Sequence, residues 1–156
     1  MDRLGKKFLG FLTSIIRTLR LALPKLGVGW MFALLTIDFN RIAIVELGIA
    51  AILITAMLSL HYFLSPFQVI SGRFADRHPF FGLRRTPYLL LGGVVASLIF
   101  IGLPRVVHAI GAGSFSATLA GFGLLILYGV AIAFMGDSHH SLIAEVTEPK
   151  SRGAVI

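Results

Sequence analysis

The chain of 156 residues contains no cysteine, so it can form neither a disulfide framework nor a thiolate metal site, and it says nothing of the redox state of its compartment. Charge is scarce as well: Asp, Glu, Lys and Arg make up 13% of the residues, where soluble domains carry about a quarter. Catalytic and nucleotide-binding patterns are also lacking. The run Ser138-His139-His140-Ser141 sets a hydroxyl beside an imidazole, but neighbours in sequence are rarely aligned in space and no oxyanion-hole motif accompanies them. The glycine pairs Gly92-Gly93 and Gly111-Ala112-Gly113 have no following Lys-Ser/Thr, so no phosphate-binding loop is built. The chain is therefore read as a non-enzyme. What is present in excess is apolar: 56% hydrophobic residues and a mean hydropathy of +0.89 define an integral membrane protein.

A helix needs roughly 20 apolar residues to cross the hydrocarbon core. Leu47–Gly72 and Thr86–Pro104 contain no Asp, Glu, Lys or Arg. Val106–Gly136 is likewise uncharged and long enough for a re-entrant loop over His108–Ser116 followed by a full span. Leu26–Ile37 is too short alone and is extended through Asp38, Asn40 and Arg41. The expectation is an all-α membrane protein: spans at about 24–45, 48–71, 86–104 and 117–142, preceded by an amphipathic helix over 1–23. That first stretch gathers Leu4, Phe8, Phe11, Leu12, Ile15 and Leu19 on one side and Arg3, Lys6, Lys7, Arg17 and Arg20 on the other. It suits the surface of the lipid bilayer, basic face against anionic headgroups. No cleavage site follows it, so it is not a signal peptide.

The cations set the orientation. Of 14 Lys and Arg residues, only Arg41 and Arg105 fall on the side opposite the N-terminus, the loop at 72–85 and the C-terminus. By the positive-inside rule these three are cytoplasmic. The net charge of +7 thus reflects topology, and nucleic acid is not an expected partner.

The loop GRFADRHPFFGLRR, Gly72–Arg85, carries a resemblance. Gly72-x-x-x-Asp76-Arg77 followed by Arg84-Arg85 resembles the loop between the second and third helices of the major facilitator superfamily. The longer insert His78-Pro79-Phe80-Phe81-Gly82-Leu83, ending in Arg84-Arg85-Thr86-Pro87-Tyr88, is similar to the PucC or bacteriochlorophyll-delivery branch, with cyanobacterial-type members nearest. Asn40-Arg41-Ile42, Glu46-Leu47-Gly48, Ser65-Pro66, Glu148-Pro149 and Arg152-Gly153 agree with it, so the resemblance covers residues 24–156. It implies the first third of a twelve-span fold, completed by C-terminal helices beyond residue 156. It also implies an inner or thylakoid membrane, and light-harvesting or photosystem polypeptides as partners. In that fold Gly72 and Asp76 form a conformational latch, and the partner of Asp76 is expected beyond residue 156. Arg77, Arg84 and Arg85 belong to the same loop, the arginine pair being read as solvated topology markers.

Ionisable residues within the spans mark the remaining candidates. Asp38 and Arg41 are three apart and expected to pair, and Asp137 lies within reach of the basic loop. Neutral imidazole can ligate the magnesium of a chlorin. His61, in the second span, and His139 and His140, at the inner end of the fourth, are therefore the candidates for holding chlorophyll or bacteriochlorophyll; no metal site is otherwise expected. Two readings stand: an assembly factor for light-harvesting complexes, and the N-terminal part of a proton- or ion-coupled small-molecule transporter.

Overall fold

The computed structural model describes residues 3–64, 66–80 and 82–146, without the side chains at 3, 4, 6, 7 and 61. The described residues are helical apart from short connections, in the order α1 Arg3–Ala33, two π-helical segments Leu34–Phe39 and Ile42–Glu46, α2 Ala51–Phe63, α3 Phe67–Arg77, α4 Thr86–Gly111 and α5 Phe115–Val146. Among the described residues three helices are long and apolar enough to cross a bilayer: Phe8–Glu46, Thr86–Gly111 and Phe115–Val146.

The amphipathic stretch and the first span form one continuous helix with Pro24 inside it. At 1.5 Å per residue it extends roughly 65 Å, about twice the hydrocarbon thickness, so half of it lies outside the core. Its apolar residues Phe8, Phe11, Leu19 and Leu23 are exposed. The stretch does not lie apart on the membrane surface, however, because residues 17–25 are docked on the C-terminal third of α5. The Arg17 guanidinium donates to the Val146 carbonyl, and the His139 Nε2 lies 2.6 Å from the Leu21 carbonyl.

The second span, expected unbroken over 48–71, is split. α2 ends at Phe63 and α3 begins at Phe67 with Pro66 as its cap. Pro66 supplies no N–H with which to continue the helical ladder, which accounts for the break. Gly72, Arg73, Asp76 and Arg77 consequently sit on α3, and the true connection to α4 is only 78–85. Within it the Phe80 and Leu83 amides each donate to the other's carbonyl (3.0 and 2.9 Å). Gly82, at φ +76, supplies the left-handed position of that tight turn.

The re-entrant loop expected over 108–116 is absent. α4 continues through Pro104 to Gly111, and Ala112–Ser114 alone turn the chain. Gly113 (φ +85) donates to the Ile110 carbonyl, Ser114 donates to the Ala109 carbonyl, and the Ser114 hydroxyl accepts from the Ala117 amide. This is a glycine-terminated stop followed directly by a serine N-cap.

The core lies where α4 and α5 pack along their length, with Leu35, Ile54, Met57, Ala96, Ile99, Leu103, Leu125 and Tyr128 buried among them. In lipid such packing gains from close contact rather than from leaving water, which favours small residues at the seam. A Cβ at Gly92 would meet the Ala131 carbonyl at 2.6 Å, so α4 and α5 touch backbone to backbone there. Gly121, Gly129 and Ala133 are buried; Gly123 is exposed with nothing within 4 Å.

Candidate functional site

Arg85 caps α4 at the end of the bundle where α3 stops and α5 finishes. Its guanidinium is shared among three carboxylates: Asp76 Oδ1 on α3 at 2.5 Å, Glu145 Oε1 on α5 at 3.3 Å and Asp137 Oδ2 on α5 at 3.8 Å. The Arg85 side chain is 13% exposed, against 49% for Asp76, 27% for Asp137 and 53% for Glu145. The planar fork of arginine suits such sharing, which a single ammonium could not match. Three negative charges around one positive charge leave the cluster acidic, with Arg85 as its single shared tie.

Gly72 places α3 against this cluster. A Cβ there would overlap the Asp137 carboxyl, meeting its Cγ at 2.7 Å and Oδ1 at 2.8 Å. The glycine is therefore required by the close approach of α3 to an acidic side chain on α5. Asp137 Oδ2 has no hydrogen-bond partner among the described residues, and neither has the buried Ser138 hydroxyl. Below the cluster the Tyr88 hydroxyl donates to the His78 carbonyl at 2.6 Å, fastening the connection to α4. Phe74, Tyr88 and Phe134 meet ring to ring with centroids 5.9 to 6.2 Å apart. They line an apolar slot of about 250 Å³ between α4 and α5, closed on one side by Gly92.

Three expectations change. Asp76 has a partner inside the chain, Arg85, rather than only beyond residue 156. The arginine pair divides: Arg84 is exposed and makes no ion pair among the described residues, whereas Arg85 is half-enclosed by carboxylates and is no solvated marker. Arg77 is exposed, also without an ion pair among the described residues. Asp38 and Arg41 do not pair. Arg41 instead reaches Glu46 at 3.2 Å, because the flanking segments are π-helical and bring residues five apart, rather than three or four, into line.

The histidines are committed to other bonds. A carbonyl only accepts, so His139 Nε2 donates to Leu21; the ring is 4% exposed, leaving its remaining lone pair enclosed. An ammonium only donates, so His140 Nε2, 3.3 Å from Lys25 Nζ, accepts, and its Nδ1 carries the proton. Neither ring, as placed, presents a lone pair to a chlorin magnesium. The His61 side chain lies outside the described residues. Among the described residues no group of three or more His, Asp or Glu is placed to hold a metal ion.

Glu145 was not singled out from the sequence. Its signal was present: Asp137 and Glu145 are the only acids in α5, eight residues apart at the basic end of the bundle.

This is a helical, membrane-embedded chain with three long apolar helices among its described residues, two of which, α4 and α5, are fastened to α3 at one end by a shared arginine. The PUCC protein family matches residues 38–156, and the chain belongs to that family. It is 31% identical over 153 residues to Protein PucC of Rhodobacter capsulatus, covering 88% of this chain and 32% of that one. It is 30% identical over 142 residues to the Bacteriochlorophyll synthase 44.5 kDa chain of the same species, again covering 32% of it. Protein PucC of Rhodovulum sulfidophilum is 35% identical over 95 residues, with 56% of this chain and 21% of that one aligned. The chain thus spans about a third of the length of the relatives it matches most extensively. No solved structure gives a significant match.

Proposed function

We propose that this chain is part of a PucC-type protein that assists delivery of (bacterio)chlorophyll to light-harvesting or photosynthetic complexes, or their assembly. The observation that carries the proposal is the family match over 38–156, which contains the whole Gly72–Asp76–Arg85–Asp137 cluster. A relative named as a bacteriochlorophyll synthase chain supports the pigment connection. The fold is read as the N-terminal part of a major facilitator arrangement, with the partners of this piece being further helices of the same fold and light-harvesting or photosystem polypeptides. Within the PucC branch the chain is read as a cyanobacterial-type member. The protein is read as a multi-pass, non-enzymatic component of an inner or thylakoid membrane with its N-terminus in the cytoplasm. Arg17, Lys25, Arg77, Arg84 and Arg85 converge on one end through the contacts of α1 and α3 with α5, which supports that orientation.

Given the bonds of His139 and His140, His61 is the remaining candidate axial ligand for pigment, and the aromatic slot of Phe74, Tyr88 and Phe134 is one apolar surface available to it. A second reading, a proton- or ion-coupled transporter, is favoured by one feature: three carboxylates on a single arginine form a tie that can be broken and remade. Purification of the full-length protein in mild detergent from pigment-producing cells separates the two. Co-purifying (bacterio)chlorophyll is the expected result. A colourless protein that moves a solute down a proton gradient in vesicles contradicts the first reading and supports the second.

A further inference from the structure

Beside the arginine cluster, whose Asp137 lies within electrostatic reach of His140, Lys25 Nζ and His140 Nε2 face each other at 3.3 Å. They sit in the wall of a pocket of about 240 Å³ that Thr18, Leu21 and His139 also line. Lys25 makes no ion pair among the described residues. Of its three N–H donors one is given to His140, so two remain for an acceptor, and the Thr18 hydroxyl adds another group at the same wall. The pocket is thus rich in donors and holds no carboxylate.

A second hollow adjoins it. Pro24, Met31, Leu90, Val94, Leu98 and Met135 line an open apolar groove of about 500 Å³ between α1 and α4. Met135 and His139 are four apart on α5, and Leu21 and Pro24 three apart on α1, so groove and pocket share two helix faces and run end to end. The α4 wall from Leu89 to Leu98 is roughly 14 Å long, enough for much of an acyl chain. A donor-rich pocket at the basic end of a membrane helix, continued by an apolar groove along its length, has the form of an anionic amphiphile.

We propose that this is a binding site for an anionic phospholipid, with the phosphate at Lys25, Thr18 and His140 and an acyl chain along Pro24, Met31, Val94 and Met135. Basic pockets between helices at that end of a membrane protein recognise such headgroups, each cation near the surface adding to the attraction. The lipid would pin the stretch at 17–25 of α1 to α5 beside the bond from His139 to Leu21.

The test is native mass spectrometry of the full chain released from detergent, with phosphatidylglycerol, phosphatidylcholine of the same acyl chains and glycerol 3-phosphate as probes. Phosphatidylglycerol is expected to be retained over phosphatidylcholine. Lys25→Gln should lower that preference roughly fivefold, the effect of one near-surface cation, and His140→Gln should lower it in the same direction. Val94→Trp, which fills the groove, should weaken phosphatidylglycerol, whereas Arg84→Gln, an exposed cation elsewhere at the same end, should leave the preference unchanged. Equal retention of the two lipids by the wild type overturns the proposal, as does a loss in Arg84→Gln matching that in Lys25→Gln. Glycerol 3-phosphate binding as tightly as the lipid, unaffected by Val94→Trp, also overturns it, in favour of a free phosphate-ester site.

Discussion

Two adjacent arginines that look alike in sequence are placed in opposite circumstances, and replacing each by glutamine measures the difference. Arg85 is 13% exposed and touches Asp76, Asp137 and Glu145; two of those carboxylates are about half exposed, so their ties are screened by solvent. An exposed ion pair contributes about 0.2–1 kcal/mol. The Asp137 pair is the least exposed of the three but also the longest, at 3.8 Å, so it is counted at the same scale. Losing the shared cation also leaves three carboxylates facing one another. Arg85→Gln should therefore cost about 1–3 kcal/mol in all. For 156 residues that corresponds to a fall of roughly 2–12 °C in Tm. Arg84→Gln should change stability by less than about 0.5 kcal/mol, because a solvated side chain away from any packing or pairing carries little. Arg85→Lys should fall between, keeping the charge but losing the fork. The assay is thermal unfolding of the detergent-solubilised protein followed by circular dichroism at one scan rate, with all three variants run alongside the wild type. Equal shifts for Arg84→Gln and Arg85→Gln refute the assignment of Arg85 as the shared tie.

Gly72→Val should destabilise by about 1–3 kcal/mol through overlap with the Asp137 carboxyl, and Asp137→Ala in the same chain should recover part of that loss in a double-mutant cycle read by the same melts. Tyr88→Phe removes the hydroxyl donating to the His78 carbonyl and should cost about 1 kcal/mol, with faster proteolytic cleavage in the 78–85 connection. Gly113→Val places a β-branched residue at φ +85 and should cost at least about 1–2 kcal/mol, lowering Tm.

The helical class was legible, and so were the long apolar stretches of α4 and α5, because absence of charge over about 20 residues is nearly a definition of a bilayer-crossing helix. What escaped was local punctuation. Pro66 stands where the second span breaks while Pro24 and Pro104 are carried inside α1 and α4, so the presence of a proline alone does not tell a break from a continuation. The Asp38–Arg41 pair failed because an i,i+3 rule presumes α-helical pitch, and the π-helical segments moved Arg41 to Glu46. At the site, Gly72, Asp76 and Asp137 were legible from type and position; which arginine they share was not. Arg84 and Arg85 are chemically identical, and it is Arg85, the cap residue of α4, that turns inward. The ties of His139 and His140 to α1 join residues more than a hundred positions apart, and no periodicity within one helix foretells such contacts.

The central claim, that this chain belongs to a protein serving pigment–protein complexes, is tested most directly by disrupting its gene in the native host. The measurement is the absorbance of intact light-harvesting complexes relative to total extracted pigment. The account predicts that complex-bound absorbance falls while pigment synthesis continues, and that the full-length wild-type gene restores it more fully than the Arg85→Gln form. Unchanged complexes in the disrupted strain would contradict it.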